Sequence, residues 1–236
     1  MRFSKWHAHG NSYLLVEQAE LGADEARRLS AEHESDGVLQ VVAVDGNRAD
    51  VVIWNPDGST AEMSGNGTRI AARWLADETG APVVTIAVGA REVAARMLEP
   101  PLVETDLGEV HVGEPEEVAG LEVTPVSVGN PHAVVAGDPA DAPLIGPLLE
   151  THPRFPGRTN VQVVRVDGPH ALTIGIWERG AGETTASGSS AAAAAAAAIA
   201  RGWCESPVDV RMPGGTLSVR IEHGRALQIG PAERLA

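Results

Sequence analysis

The segment that decides the fold, GNSYLLV at residues 10–16, returns in similar form as GNPHAVV at residues 129–135. Both copies follow the pattern Gly-Asn-x-aromatic-x-x-Val, in which a turn residue precedes an apolar strand. Further along each half, a Ser- and Gly-rich turn opens a helix pattern, as SGNGT at residues 64–68 and SGSSA at residues 187–191. Two matched segments in the same order indicate an internal repeat and predict two homologous halves.

Short apolar runs bounded by turns predict the strands, and Ala-, Leu- and Glu-rich stretches predict the helices. We expect an α+β fold of two pseudo-symmetric halves, each made of antiparallel strands wrapped around a central helix. The predicted helices are 21–34, 68–78 (ending at a Gly80 C-cap) and 189–201, and the predicted strand regions are 13–16, 37–44, 49–54, 83–112, 123–128, 133–136, 159–166, 171–177, 208–212 and 217–221.

The boundary between the halves is predicted near GEPEE at residues 113–117, an acidic, Pro-containing segment of linker composition. The expected domains are residues 1–116 and 117–226, and the last strand and tail, 227–236, are expected to return to the first half. Because binding pockets commonly form between domains, we expect the active site in the cleft between the halves.

The charge balance argues against several kinds of partner. The 236 residues carry 32 Asp and Glu against 18 Lys and Arg, a formal net charge of −14. Such a surface repels nucleic acid and anionic membranes, whereas a small substrate with its own ammonium group suits it. The first residues lack the apolar stretch of a signal peptide, so a cytoplasmic protein is expected.

Neither a metal nor a cofactor is expected. The single cysteine, Cys204, cannot form an internal disulfide or a thiolate zinc cluster, and the eight His residues show no ligand spacing. No glycine fingerprint of a phosphate- or dinucleotide-binding loop stands between a strand and a helix.

The two Ser-Gly turns each place free backbone N–H groups at a predicted helix start. The positive end of the helix dipole and the close approach that Gly allows make each turn a carboxylate or phosphate cradle. For one turn alone, helix capping by Ser is the favoured explanation. Two related turns in a two-half chain favour a shared binding site.

Other polar residues have both a functional and a structural explanation. Arg179 can grip a carboxylate and Glu178 can bind an ammonium group or move a proton, although an adjacent Glu-Arg pair is also typical of solvated surfaces. His132 is a candidate general base or orienting group, or a hydrogen-bonded histidine at the start of a strand. Four candidate residues lie at strand–turn junctions, where Asn is common because its side chain favours turns: Asn11, Asn55, Asn130 and Asn160.

Together these motifs resemble the cofactor-independent diaminopimelate epimerases over essentially the whole chain. The strongest matches are NPDGS at residues 55–59, SGNG at 64–67, GNPH at 129–132, TNV at 159–161 and ERGAGET at 178–184. The resemblance implies an epimerase that works without pyridoxal phosphate, by a two-base proton swap at an amino-acid α-carbon.

In that family two cysteines carry the proton, and the resemblance places them where this sequence has Ser64 and Ser187. The resemblance also implies supporting catalytic roles for His132 and Glu178, and a substrate cradle between the turns. The substrate-binding residues it implies are Asn11, Asn55, Gly65, Asn66, Asn130, Asn160, Glu178, Arg179, Gly188 and Ser189.

Serine at both catalytic positions is a departure with a chemical cost. A hydroxyl is a far weaker acid than a thiol and needs an adjacent general base at neutral pH. Cys204 is a poor substitute, because it follows the far end of the helix that Ser187 introduces, about 20 Å away at 1.5 Å per residue. Either the two serines were introduced to inactivate the enzyme, or the protein is a divergent member.

The leading functional hypothesis is conversion of LL- to meso-diaminopimelate in lysine and peptidoglycan precursor synthesis. One alternative is a related enzyme for another substrate, such as a histidine or proline racemase or a phenazine-type isomerase. Another is an amino-acid-binding protein that lost its catalytic bases. The expected partner is a small diamino dicarboxylic acid, and neither nucleic acid nor a membrane is expected. The sequence leaves open whether the protein forms a homodimer.

Overall fold

The computed structural model describes residues 2–9, 11–18, 20–61 and 63–235. Gly10, the first residue of the repeated segment, lies outside the described residues. The chain divides into two compact units, one of Met1–Asp106 with Ile229–Ala236 and one of Leu107–Gln228. The division into residues 1–116 and 117–226 stays a prediction; in the structure the GEPEE segment lies within the second unit, and Glu116 begins a strand there.

The elements alternate short strands with a few helices, as predicted for an α+β chain. In chain order they are β1 (Arg2–Ala8), β2 (Asn11–Glu17), α1 (Ala23–Glu32), β3 (Val38–Asp45), β4 (Arg48–Trp54), β5 (Thr60–Ala61), α2 (Gly65–Thr79), β6 (Val83–Val88), β7 (Arg91–Met97), β8 (Leu102–Glu109), β9 (His111–Val112), β10 (Glu116–Val118), β11 (Leu121–Ser127), β12 (Pro131–Ala136), a short 3₁₀ turn (Pro139–Asp141), α3 (Ala142–Glu150), β13 (Asn160–Gly168), β14 (Ala171–Glu178), β15 (Gly182–Thr184), α4 (Gly188–Ala200), β16 (Val208–Met212), β17 (Gly215–Glu222), β18 (Arg225–Pro231) and β19 (Glu233–Arg234).

The first unit has a sheet whose pairings are mostly antiparallel. β1 pairs with β2, β3 with β4, β4 with β5, and β6 with β7, all antiparallel. β2 with β3 and β4 with β6 are parallel. A parallel pair needs a crossover connection, and α1 and α2 provide these two.

The second unit repeats this order of pairings. β11 pairs with β12, β13 with β14, β14 with β15, and β16 with β17, all antiparallel. β12 with β13 and β14 with β16 are parallel, across the crossovers that hold α3 and α4. Each unit therefore adds two parallel pairs to the expected antiparallel ones, and the shared order agrees with an internal repeat.

Each unit buries one helix among its strands. In α2 the residues from Asn66 to Ala72 are buried. Ile70 and Leu75 are fully buried in the hydrophobic core of the first unit, called the first core below, which also contains Leu39 and Ile53. In α4 the residues from Ser190 to Ala198 are buried, and the small Ala side chains let strands approach on every side. Gly80 ends α2 in the left-handed conformation with φ 71°, as predicted for a C-cap.

Of the elements that the sequence-based prediction lacked, β1 and α3 are the longest. The first strand, β1, carries charged and aromatic residues without a clear alternation of apolar residues. Helix α3 contains two prolines and a glycine, a composition that ordinarily argues against a helix. No helix in the described part of the chain is both long and apolar enough to cross a membrane.

Candidate active site

Ser64 stands at the N-terminus of α2 in the first unit. Its backbone is extended, with φ −140° and ψ 120°, and its Oγ accepts a hydrogen bond from the N–H of Gly67 at 3.0 Å. A Cβ at Gly67 would lie 2.9 Å from the end of the Leu39 side chain and 3.3 Å from Ser64 Oγ, so a side chain there would displace Leu39. The N–H groups of Gly65 and Asn66 are among those that a first helical turn leaves without an intrahelical partner.

Asn11 and Asn66, two predicted substrate-binding residues, meet in the first unit. The Nδ2 of Asn66 donates to Oδ1 of Asn11 at 2.6 Å. Asn66 also accepts a hydrogen bond from Arg69, one helical turn further on. Arg69 is fully buried, and burial lowers its pKa to about 10. The amides are therefore fixed in orientation beside a buried cation.

A residue that sequence reasoning did not select, Tyr13, also reaches Ser64. Its Oη lies 3.0 Å from Ser64 Oγ, and its ring packs against the first core. A Cβ at position 37 would lie 2.8 Å from this ring, so Gly37 is required for the ring's position. The aromatic position of the repeated segment was the available signal, but contact with a residue on another element cannot be read from it.

His9 lies in the turn that precedes β2. Its backbone φ is 47°, in the left-handed region. Burial, with smaller contributions from the charges of Arg69 and His7, lowers the pKa of His9 to about 4. His9 is therefore uncharged near neutral pH.

Asn55 is held in a turn of its own rather than with the other two amides. Its Nδ2 donates to Ser59 Oγ at 2.9 Å, and its backbone N–H donates to the Ser59 carbonyl at 2.8 Å. Within the described residues it has no hydrogen bond to Asn11 or Asn66. Its role as a substrate-binding residue stays a prediction.

Ser187 takes the equivalent position at the N-terminus of α4 in the second unit. Its backbone is extended, with φ −147° and ψ 123°, and its Oγ accepts the N–H of Ser190 at 3.4 Å. Ser187 also donates a hydrogen bond to the carboxylate of Glu178. Burial raises the pKa of Glu178 above its usual value, and this hydrogen bond opposes that effect only in part. The structure thus joins two predicted catalytic residues, Ser187 and Glu178, by a hydrogen bond, and their catalytic roles stay a prediction.

His132 lies in a buried polar network. It is 1% exposed, its Nε2 lies 3.0 Å from Asn130 Oδ1, and its Nδ1 lies 3.2 Å from Gln162 Oε1. Gln162 in turn donates to Ser190 Oγ at 3.0 Å. Burial lowers the pKa of His132 to about 4, which favours the neutral ring. The network connects the strand start to the first turn of α4.

Asn160 and Arg179 are joined through the backbone. The N–H of Arg179 donates to Asn160 Oδ1 at 2.9 Å, and Asn160 Nδ2 donates to the Pro131 carbonyl at 3.0 Å. The guanidinium of Arg179 is exposed and donates to the Gly157 carbonyl at 3.2 Å. Asn160 therefore fixes the strand end from which Arg179 projects.

Glu150 of α3, which sequence reasoning did not select, binds the turn that follows Arg179. Its carboxylate accepts the Trp177 indole N–H at 2.7 Å and the Gly180 N–H at 2.6 Å, and pairs with Arg158 at 2.5 Å. Burial alone would raise the pKa of Glu150, but these three partners outweigh it and lower the pKa. Helix α3 can pack here because Gly146 leaves room for Trp177.

Cys204 is not a member of this group. It follows the C-terminal end of α4, while Ser187 caps the N-terminal end. It is buried, its Sγ donates to the Gly168 carbonyl, and burial raises its pKa. The thiol is therefore kept protonated and away from the Ser187 turn.

Comparison with known proteins assigns a class to this arrangement. The diaminopimelate epimerase family profile matches residues 3–112 and 124–235. The diaminopimelate epimerase of Synechococcus elongatus is 36% identical over 100% of this chain and 96% of its own length. That of Ectopseudomonas mendocina is 36% identical over 100% of this chain and 97% of its own length.

Solved structures share the fold at low sequence identity. A predicted epimerase from Pseudomonas aeruginosa has a TM-score of 0.79 at 18% identity, covering 100% of this chain and 97% of that chain. A probable proline racemase from Agrobacterium radiobacter K84, solved with bound carbonate, has a TM-score of 0.70 at 14% identity, covering 99% of this chain and 91% of that chain.

The fold and the full-length relatives together define an isomerase of the amino-acid epimerase and racemase class. Within that class, both the profile match and the relatives point to one family. The chain belongs to the diaminopimelate epimerase family.

Proposed function

We propose that this protein binds diaminopimelate and interconverts its LL and meso forms by proton transfer at the α-carbon, without a cofactor. The observation that carries the proposal is the pair of helix-capping serines, each hydrogen-bonded to a titratable side chain: Ser64 to Tyr13 and Ser187 to Glu178. These are the positions at which the family resemblance expects the two proton carriers. The reaction would supply lysine and peptidoglycan precursor synthesis in the cytoplasm.

The substrate's carboxylates are proposed to bind at the two helix starts. Gly65 and Asn66 begin α2, and Gly188 and Ser189 begin α4, so their N–H groups stand at the positive ends of the helix dipoles. The guanidinium of Arg179 adds a second, charged hydrogen-bond donor for a carboxylate. Donors that hold the α-carboxylate stabilise the negative charge that develops when the α-proton leaves, and so make that proton more acidic.

The proton steps are assigned to the two serine oxygens and their partners. Ser187 can hand its proton to Glu178 when its oxygen takes one from carbon, because the two groups already share a hydrogen bond. Stereochemical inversion requires that the second group act on the opposite face of the same carbon, and Ser64 is proposed for that face. His132 is proposed to orient the first turn of α4 through Gln162 and Ser190.

The decisive experiment is solvent deuterium exchange at the α-carbon of LL-diaminopimelate, followed by proton NMR in D₂O. An epimerase incorporates deuterium and forms the meso isomer. A binding protein without catalytic bases retains the proton but gives a calorimetric binding signal, which would contradict the proposal. Faster exchange of proline or histidine than of diaminopimelate would assign the site to a related racemase.

The matched control removes both serine hydroxyls, as Ser64→Ala with Ser187→Ala. It should abolish exchange while the protein stays folded by circular dichroism. Exchange that survives in this variant would show that other groups carry the proton.

A further inference from the structure

Tyr13 is the only tyrosine in the sequence, and its hydroxyl contacts a serine at a proposed catalytic position. The Oη–Oγ distance of 3.0 Å is that of a hydrogen bond between two groups that can each donate or accept. The ring is half-buried on β2 and is fixed by the first core and by the close approach of Gly37. The packing around the ring therefore holds the Tyr13 hydroxyl in position beside Ser64.

The surroundings of Ser64 allow its hydroxyl to be the donor in this hydrogen bond. The Gly67 N–H already donates to Ser64 Oγ, so a lone pair of that oxygen is occupied. The serine's own hydrogen is then available to Tyr13 Oη. In this orientation the phenol oxygen is the acceptor for the proton that Ser64 must lose to act as a base.

A buried cation supports negative charge on that acceptor. Arg69 is 0% exposed on α2, and its charge interacts with Tyr13, an attraction that opposes the effect of burial on the pKa of Arg69. Asn66 holds Arg69 in place. A phenolate at Tyr13 would therefore have a counter-charge close by in a region of low dielectric.

We propose that Tyr13 and Ser64 form a proton relay, in which the Tyr13 phenolate accepts the Ser64 hydroxyl proton while Ser64 Oγ removes the substrate's α-proton. This inference rests on the proposed function. The C–H electron pair stays on the α-carbon, the Ser64 O–H bond breaks, and new O–H bonds form at Ser64 and at Tyr13. The negative charge moves from the phenolate to the substrate, and the reverse sequence delivers a proton to carbon.

The arrangement is specific to the first unit. In the repeated segment, His132 occupies the position that corresponds to Tyr13, and its described hydrogen bonds go to Asn130 and Gln162. Ser187 instead has Glu178 as its partner. Each serine thus has its own acid–base group, a phenol on one side and a carboxyl on the other.

The test compares Tyr13→Phe in two backgrounds, the protein with Ser64 and the Ser64→Cys variant. Phe keeps the packed ring and removes only the hydroxyl. Because general acid–base groups contribute about 10²–10⁴-fold, we expect Tyr13→Phe to lower α-proton exchange by about 100-fold or more when residue 64 is Ser. It should have less than about a tenfold effect when residue 64 is Cys, because a thiol is itself acidic enough to need no relay.

A matched control is Ser4→Ala, which removes a hydroxyl that accepts a hydrogen bond from the Trp6 indole N–H on the same strand, β1. It should leave exchange unchanged in both backgrounds. An equal effect of Tyr13→Phe in the two backgrounds would show that Tyr13 is merely structural and would overturn the relay, while the proposed function would stand. Exchange by the Ser64→Cys variant but none by the protein with Ser64 would also overturn it.

A second readout uses the uniqueness of Tyr13. Ultraviolet difference spectroscopy titrates this single phenol, and its midpoint should coincide with a midpoint in the pH profile of exchange. Burial lowers the pKa of His9 to about 4 and that of Arg69 to about 10, and the two charges interact, so profiles of His9→Gln identify any contribution from the imidazole. A profile without a transition at the phenol midpoint would contradict the relay. Absence of exchange in every background would overturn the proposed function and the relay together.

Discussion

Replacing Glu150 by Ala should destabilise the protein more than any comparable change of a surface carboxylate. The Glu150 side chain is 6% exposed and accepts hydrogen bonds from Trp177 and Gly180, while its ion pair is with a half-exposed Arg158. Loss of the acceptor leaves a partly buried indole N–H and a backbone N–H without partners, at about 1–3 kcal/mol for a buried donor. The exposed side of the ion pair adds only about 0–1 kcal/mol. Because both donors are only partly buried, each contributes near the lower end of that range, and the expected loss in the free energy of unfolding is about 2–4 kcal/mol.

Urea unfolding followed by tryptophan fluorescence measures this loss. The control is Glu122→Ala in the same unit, because Glu122 is 65% exposed and pairs with Arg201 at 2.5 Å. That change should cost less than about 1 kcal/mol. If the two variants unfold at the same urea concentration, the hydrogen bonds to Glu150 contribute nothing beyond a surface ion pair, which would contradict this prediction. Glu150→Ala should also weaken ligand binding, since Gly180 follows Arg179 directly.

Three further predictions concern the candidate site and its support. Arg179→Ala should weaken binding of diaminopimelate by about 2–5 kcal/mol, the range for a charge pair that the ligand buries, and Ser189→Ala by far less; equal small effects in calorimetry would place the pocket elsewhere. Burial holds the pKa of His132 at about 4, so the folded state binds fewer protons than the unfolded state between about pH 6.5 and pH 4, and stability should fall as pH falls through that window. His132→Gln should flatten this dependence of the urea midpoint, and an unchanged slope would contradict it. Gly37→Ala should lower stability by about 1–3 kcal/mol and displace the Tyr13 ring, because its Cβ would lie 2.8 Å from that ring; thermal unfolding at the value of the unchanged protein would refute this.

The repeat and the main helices could be predicted because their signals are local. Residues 68–78 have an apolar face and a following Gly80, and the structure extends that helix by only a few residues to Gly65–Thr79. The second Ser-Gly turn predicted α4 in the same way. Periodicity and caps are properties of adjacent residues, so a single sequence reveals them.

What could not be predicted depends on contacts between distant residues. Tyr13 and Ser64 are separated by 51 positions, and Glu150 and Gly180 by 30. The parallel pairs likewise join strands on either side of a helix, and no local pattern identifies them. Helix α3 forms despite its prolines because it packs in the crossover between β12 and β13, where Gly146 gives Trp177 room.

The sequence also showed that serine stands at the two positions where the family has catalytic cysteines, and the structure adds the hydrogen-bond partners of these serines. Ser64 has a phenol and Ser187 has a carboxyl within hydrogen-bonding reach. A hydroxyl with an adjacent base can move a proton, though more slowly than a thiol whose pKa is close to the working pH.

The most direct test is the rate at which LL-diaminopimelate becomes the meso isomer with Ser64→Cys and Ser187→Cys together, compared with the unchanged protein. We predict that the double variant is much faster, because thiols ionise near the operating pH and hydroxyls do not. Each single variant should recover little inversion, although it should exchange the α-proton on its own face with solvent. An unchanged protein that epimerises as fast as the double-cysteine variant would contradict the prediction that the weak acidity of the two serine hydroxyls limits the rate.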